Sequence, residues 1–234
     1  MRYDVLLADA DGTLFDFHAG ERKALEETLT AFGMAVTDEL AALYSRVNQS
    51  HWKKLERGET TQARLRVERF ADYLAELDAL AVPHEAATPE VMSERFVERL
   101  SMQRVPMRGA EAFLRKVHAR MPVYLVTNGI ARVQRGRFEA SELRVYFTDI
   151  LISEEIGHFK PDPYMLEEAM RRAGVTDKSR AVLLGDSVTA DIGAAINAGV
   201  DSVLFTDGKP APEDCGATCT VYTLEEAAAY ILGE

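Results

Sequence analysis

Two carboxylates, Asp9 and Asp11, stand one residue apart in DADGTLFD, directly after the apolar run VLLA at residues 5–8. Asp-Gly is a common turn pair, but a turn needs one Asp, and a carboxylate at the end of a buried strand calls for a partner. Three further polar stretches follow short apolar runs: TNG at 127–129, FKPDP at 159–163 and GDSVTADI at 185–192. Taken singly, each has an ordinary explanation. TNG reads as a turn with Asn128 left-handed, Lys160 as a solvated lysine, Asp186 as a helix N-cap and Asp191 as an exposed helical acid.

Together the same residues supply the parts of a phosphoryl-transfer site. Asp9 and Asp11 at one strand end, with Asp186 at another, make a hard, oxygen-rich site suited to Mg²⁺, which neutralises the repulsion between a phosphate and an attacking carboxylate. Asp9 is then the nucleophile, forming an aspartyl-phosphate and dividing one displacement into two. Asp11 is placed to protonate the leaving oxygen and later to take a proton from the attacking water. Thr127, Asn128, the backbone amides around Gly12 and the Lys160 ammonium are the donors for the phosphoryl oxygens.

These stretches meet only if the chain forms an open α/β sheet, where ligands sit at the carboxyl ends of the strands near the point at which strand order reverses. The pattern supports this. The runs VLLA, PVYLVT, DILIS, RAVLLG and DSVLF alternate with helical stretches, as in a parallel sheet covered on both faces. Residues 1–17 and 105–234 are expected to form this core domain, and the wholly helical texture of residues 18–104 predicts an inserted helical cap domain. The closing TLEEAAAYIL carries a capping box, Thr223 with Glu226, and predicts a final packing helix.

Composition narrows the classes further. With 47% apolar residues in 234, the chain can bury a real core, and a net charge of −11 argues against a nucleic-acid surface. No apolar run approaches the roughly 20 residues of a membrane span, and the early Asp4 argues against a signal peptide, so a cytoplasmic protein is expected, as monomer or homodimer. Cys215 and Cys219 are too few for a zinc site or disulfide framework and read as spare thiols.

The order DADGTLFD, VTNG, KPDP, GDSVTADI resembles the four motifs of the haloacid dehalogenase-like (HAD) hydrolase superfamily. The resemblance implies a Rossmann-like core of five or more parallel strands with a helical cap of the first type. It carries the nucleophile onto Asp9 and the acid/base onto Asp11. Phosphate binding falls on Thr127, Asn128 and Lys160, and the metal on Asp9, the Asp11 main-chain carbonyl and Asp186, with Asp191 supporting metal-bound water. Dehalogenases lack an acid at the position of Asp11, so the pattern points to a phosphatase. TNG, ISEEIGHFKPDP and GDSVTADIGAAINAG, with VNQSHWKKLERGETT in the cap, look like the pyrimidine 5′-nucleotidases that act on nucleoside monophosphates and clear damaged ones.

Selection among phosphomonoesters must come from the cap, because every such substrate offers the same phosphate. In NQSHW, residues Asn48, His51 and Trp52 could hydrogen-bond or stack on a base, although Trp52 is expected inside the cap and His51 on its surface. Asp16, at the seam, reads equally as an N-cap or a hinge residue. Two other functions fit the same motifs: a phosphatase for phosphoglycolate or a sugar phosphate, and a noncatalytic binding protein. The intact acids argue against the latter.

Overall fold

In the computed structural model, residues 2–84 and 87–234 are described; Met1, Glu85 and Ala86, which belong to the expected core and cap segments, lie outside the described residues. Six strands form one parallel sheet: β1 (Val5–Ala8), β2 (Val123–Thr127), β3 (Asp149–Ile152), β4 (Ala181–Gly185), β5 (Asp201–Phe205) and β6 (Cys219–Val221). Between β1 and β2 lie helices α1 (Phe17–Ala31), α2 (Asp38–Glu56), α3 (Gln62–Ala79), α4 (Pro89–Leu100) and α5 (Ala110–His118). Helix α6 (Ala131–Glu139) follows β2, α7 (Ser153–Ile156) and α8 (Tyr164–Ala173) follow β3, α9 (Gly193–Ala198) follows β4, and α10 (Leu224–Leu232) closes the chain.

The strand order is β3-β2-β1-β4-β5-β6. The chain starts in the middle, winds outward through β2 to β3, then crosses to the other side of β1. The reversal therefore falls at β1, whose carboxyl end carries DADG.

Burial explains why the strands were readable as apolar runs. Alternate residues of each central strand face opposite layers. Leu6, Ala8, Val123, Leu125, Val182 and Leu184 pack with α5 and α10, whereas Val5, Leu7, Tyr124, Val126 and Leu183 pack with α8 and α9. The expected runs became β1 to β5. Strand β6 was not anticipated, because its three residues are too few for a periodic signal and take their place by pairing beside β5, Val203 to Cys219 through Phe205 to Val221. The expected capping box is present: Thr223 accepts from the Glu226 amide and Glu226 from the Thr223 amide. Among the described residues, no helix is long and apolar enough to cross a membrane.

Helices α1 to α4 form the cap. Each begins at a residue whose side chain accepts a backbone amide of the first turn: Asp16, Thr37, Thr61 and Thr88. Tyr44 centres the cap core, with Phe70, Tyr73 and Phe96 ring centroids 5.1–5.4 Å away. The same apolar cluster includes Ile130 and Val133 at the start of α6, so the cap rests on the core through them. Gln62 adds a buried hydrogen bond, its Nε2 donating to the Gly129 carbonyl at 2.9 Å.

The two links between cap and core run side by side. The Asp16 amide donates to Val105 O and the Met107 amide to Leu14 O, both at 2.9 Å, and Phe15 bridges Pro106. Asp16 is the N-cap of α1, accepting from the Ala19 amide at 2.9 Å, and it also stands at this seam.

Candidate active site

The acids gather at the carboxyl ends of β1 and β4. The Asp9 amide continues the β1–β4 ladder by donating to Leu184 O at 2.8 Å, and the chain then folds over itself, with the Leu14 and Phe15 amides both on Ala10 O. Gly12 has φ +90°, and a Cβ there would lie 2.4 Å from Asp186 Oδ2. Glycine is thus what lets the β1 loop approach Asp186. Carboxylate oxygens of Asp9, Asp186 and Asp191 all lie within 4.8 Å of one another. Thr13, fully buried, directs its hydroxyl toward two of them, Asp186 Oδ1 at 3.2 Å and Asp9 Oδ2 at 3.4 Å.

Lys160 is the cation of this group. It is 1% exposed, and its three ammonium protons go to Asp9 Oδ1 at 2.6 Å, Asp191 Oδ1 at 2.7 Å and Val126 O at 2.8 Å. The expectation of a solvated lysine fails for that reason. Burial opposes the charge, yet Asp191 and Asp9 hold the ammonium above its ordinary range. Asp9 goes the other way from a typical acid: its burial pushes it well above the carboxylate range against the attraction of Lys160. The enclosed floor of the cleft and then the Asp191 charge push Asp186 up to about 7, although its side chain remains reachable from solvent. With all three acids ionised they exceed the single ammonium by two negative charges, the donor set a divalent cation fits.

Asp191 is buried rather than exposed. It belongs to a single π turn, Val188–Ile192, and its Oδ2 accepts the Ser187 amide at 3.0 Å. Ser187, not Asp186, caps this turn. Asn128 is not left-handed. Its side chain clasps the Lys160 backbone, donating from Nδ2 to Lys160 O at 2.8 Å and accepting the Lys160 amide on Oδ1 at 2.9 Å. The Asn128 side chain thereby positions Lys160 and keeps a second Nδ2 proton for another acceptor. Thr127 Oγ1 accepts from Gln134 Nε2 at 2.9 Å.

Asp11 points toward α6. Its Oδ2 accepts from Gln134 Nε2 at 2.8 Å, and its Oδ1 lies 2.6 Å from Arg137 Nη1 outside hydrogen-bond alignment. Arg137 is itself buried, donating from Nε to Gln103 O at 2.8 Å, with its guanidinium 5.3–5.8 Å from the Phe15, Phe17 and Phe138 ring centroids. This arrangement keeps Asp11 apart from the three clustered acids.

A pocket of about 180 Å³ between cap and core opens beside Asp11 and Asn128, lined also by Phe17, Trp52, Arg69 and Ile130. A second, of about 240 Å³, lies on the Asp186 side. Trp52 is half-buried and faces the first pocket, rather than being enclosed in the cap. Asn48 and His51 do not line either one. Asn48 is buried between Glu21 and Arg69, and His51, 2% exposed, bonds through Nε2 to Asp72 at 2.8 Å instead of lying on the surface.

Residues 3–199 match the haloacid dehalogenase-like hydrolase family. The chain belongs to that family. As a haloacid dehalogenase-like hydrolase it is 30% identical over 227 residues to pyrimidine 5′-nucleotidase YjjG of Escherichia coli, covering 97% of this chain and 96% of that one. Pyrimidine 5′-nucleotidase PynA of Streptococcus pneumoniae is 31% identical over 206 residues, with 88% and 84% covered. The solved structure of the HAD-hydrolase YfnB of Bacillus subtilis, bound to magnesium and described as revealing interdomain movement, superposes with a TM-score of 0.87 at 27% identity over 99% of both chains. The resemblance read from the four motifs is borne out, and the chain is an enzyme of this hydrolase family.

Thr13, Gln134, Arg137 and Arg69 are site-lining or site-positioning residues that the motif reading passed over in this haloacid dehalogenase-like hydrolase. Thr13 stood inside DADGT, where a threonine before an apolar pair reads as a turn residue. Gln134 and Arg137, three apart in ARVQRGRFE, share one helix face. The available signal was that a face carrying no aliphatic residues at these positions must find polar partners if it turns inward.

Proposed function

We propose that this protein is a Mg²⁺-dependent phosphomonoester hydrolase that works through an aspartyl-phosphate on Asp9 and acts on pyrimidine nucleoside 5′-monophosphates. The observation that carries it is the cluster of Asp9, Asp186 and Asp191 around Lys160, with Asp11 held separately a short distance along the same loop. The similarity to YjjG and PynA, both named pyrimidine 5′-nucleotidases, supports the substrate class. The magnesium-bound YfnB structure supports the ion. Asp9, Asp186 and the Asp11 main-chain carbonyl would hold it, with Asp191 behind them. When bound, the ion supplies charge neutralisation for the acids and the incoming phosphate.

The chain's own groups divide the rest. Lys160 holds Asp9 Oδ1 in place, leaving Oδ2, which among the described residues meets the Thr13 hydroxyl alone, at 3.4 Å, as the freer oxygen. Asp9 attacks phosphorus, and the phosphate–ester bond breaks as Asp11 gives its proton to the leaving alkoxide. Asp11, now a carboxylate beside Gln134 and Arg137, takes a proton from water as that water attacks the phosphorus, and Asp9 is released. The helical cap, taken as residues 18–104, covers the site and excludes bulk water while this happens.

The test is phosphate release with Mg²⁺ and with EDTA across nucleoside monophosphates, phosphoglycolate and sugar phosphates. Metal-dependent release that favours dUMP, dTMP or UMP is expected. Release from phosphoglycolate or a sugar phosphate alone would retain the mechanism and remove the nucleotidase reading.

The acid cluster also gives a pH expectation. Asp9 and Asp186 have folded values above their ordinary ones, so the folded state binds more protons than the unfolded state between roughly pH 5 and 7. Stability of the metal-free protein should therefore fall as pH rises through that window. Saturating Mg²⁺ should flatten or reverse the slope, because a bound cation favours the ionised acids. Melting curves at pH 5, 6 and 7, with and without Mg²⁺, check it; a metal-free protein that gains stability across this range would contradict the cluster as described.

A further inference from the structure

Helix α6 turns two polar side chains inward, Gln134 at 2% and Arg137 at 1% exposed. Both donors of the Gln134 amide are used. The two Nε2 protons go to Asp11 Oδ2 at 2.8 Å and Thr127 Oγ1 at 2.9 Å. Its Oε1 accepts from Arg137 Nη1 at 3.0 Å. Arg137 is anchored in turn on the Gln103 carbonyl, in the link that returns from cap to core, and packs against three aromatic rings. The opposite setting of the amide is unfavourable, because it would turn Oε1 on the Asp11 carboxylate and Nε2 on the guanidinium, two repulsions in a buried place. Gly129 makes room for this side chain: a Cβ there would lie 2.6 Å from Gln134 Nε2.

A counter-ion alone would need none of this. Arg137 Nη1 already stands 2.6 Å from Asp11 Oδ1, and the Asp11 side chain, 21% exposed, still lines the 180 Å³ pocket between cap and core. What Gln134 adds is direction. With Gln134 on one carboxylate oxygen and Arg137 on the other, the plane of the Asp11 group is fixed. The same amide makes the Thr127 hydroxyl an acceptor on its α6 side, so the hydroxyl's own proton points elsewhere; among the described residues it meets the Asn128 carbonyl alone, at 3.4 Å. One amide therefore orients two groups with complementary tasks, a proton donor for the leaving oxygen and a hydrogen-bond donor for a phosphoryl oxygen.

We infer that Gln134, held by Arg137, is a positioning residue that sets the Asp11 carboxyl toward the leaving oxygen and the Thr127 proton toward a phosphoryl oxygen of the same substrate. This rests on the phosphomonoesterase reading and adds the group that keeps its acid/base in register with its phosphate site. Gln134 acts through these two side chains and supplies no proton to the substrate itself.

The experiment compares kcat/KM for two aryl esters of similar size: p-nitrophenyl phosphate, whose phenolate leaves without a proton, and p-methoxyphenyl phosphate, whose more basic phenolate needs one. The proteins are the wild type, Gln134→Met, which keeps the length and removes the amide, and Arg137→Lys, which keeps the charge without the fork that joins Gln134 to the Gln103 carbonyl. Both variants should lose about tenfold to a hundredfold more on the p-methoxyphenyl ester than on the p-nitrophenyl ester, a part of what general acid catalysis supplies. Arg137→Lys carries the test if Gln134→Met does not fold. A second readout is the same substitution of Gln134 in an Asp11→Asn background, where it should add no further discrimination between the esters, since no proton is left to place. Equal losses on both esters would overturn the inference and make Gln134 a structural residue, with the phosphatase reading intact. Extra discrimination that persists in Asp11→Asn would overturn it too. If the wild type hydrolyses UMP but neither ester, the same cycle on UMP decides: coupled losses for Gln134→Met and Asp11→Asn uphold the inference, and additive losses remove it. If the wild type hydrolyses none of the three, the phosphatase reading fails and the inference falls with it.

Discussion

Asp9→Asn is expected to release no phosphate from any ester the wild-type protein hydrolyses, a loss on the order of 10⁴-fold or more, as for other enzymes stripped of their nucleophile. The substitution keeps the shape and one acceptor oxygen, so with that oxygen turned to Lys160 the ammonium retains an acceptor there as well as Asp191 and Val126. Because burial already disfavours the ionised form of Asp9, a neutral amide should leave the metal-free fold as stable as before or more so. Two measurements together are decisive: a melting curve that stays in place, and an acid-quenched sample that carries a phosphoryl adduct by intact mass in the wild type but not in the variant. Appreciable turnover in Asp9→Asn would take the nucleophile role away from Asp9.

Lys160→Met should have the largest effect on stability. It leaves Asp9 and Asp191 buried without their cation, a loss of about 3–5 kcal/mol by comparison with other broken buried pairs. The sign of its pH dependence follows from the same geometry. Without Lys160 the ionised acids are worse placed, and protonating them relieves the penalty, so the loss should be greater at pH 8 than at pH 5. Urea denaturation of wild type and variant at both values measures it. A loss that is small, or the same at both, would mean that the lysine is not the counter-ion its contacts describe. Phosphate release should vanish as well, since Asp9 would no longer be held.

The sequence showed the sheet and the motif residues because both are local statements. Fully buried parallel strands appear as continuous apolar runs, and DADG, TNG and GDS each follow one of them. What it could not show were partners far along the chain. Lys160 looked solvated because its acceptors are 151, 34 and 31 positions away. Nothing local marks the partners of Arg69 or Arg137, since only the assembled fold brings Asn48 against one and Asp11 against the other. Asn48 and His51 stand out in NQSHW as side chains able to hydrogen-bond a base, but the same residue types serve equally as an internal bridge, which is how the fold uses them against Glu21, Arg69 and Asp72. Strand β6 is visible only once β5 offers it an edge.

The paired links at the seam bear on how such a molecule can be rebuilt. Because Asp16 and Val105 are joined by a single hydrogen bond and Phe15 bridges Pro106, the chain returns to the sheet where it left it. A short turn spliced between these positions would close the gap at little entropic cost and leave strand register untouched. By the same geometry, a helical insertion of different length or sequence can be grafted there as a cassette, provided that it covers Ile130 and Val133 as the present helices do.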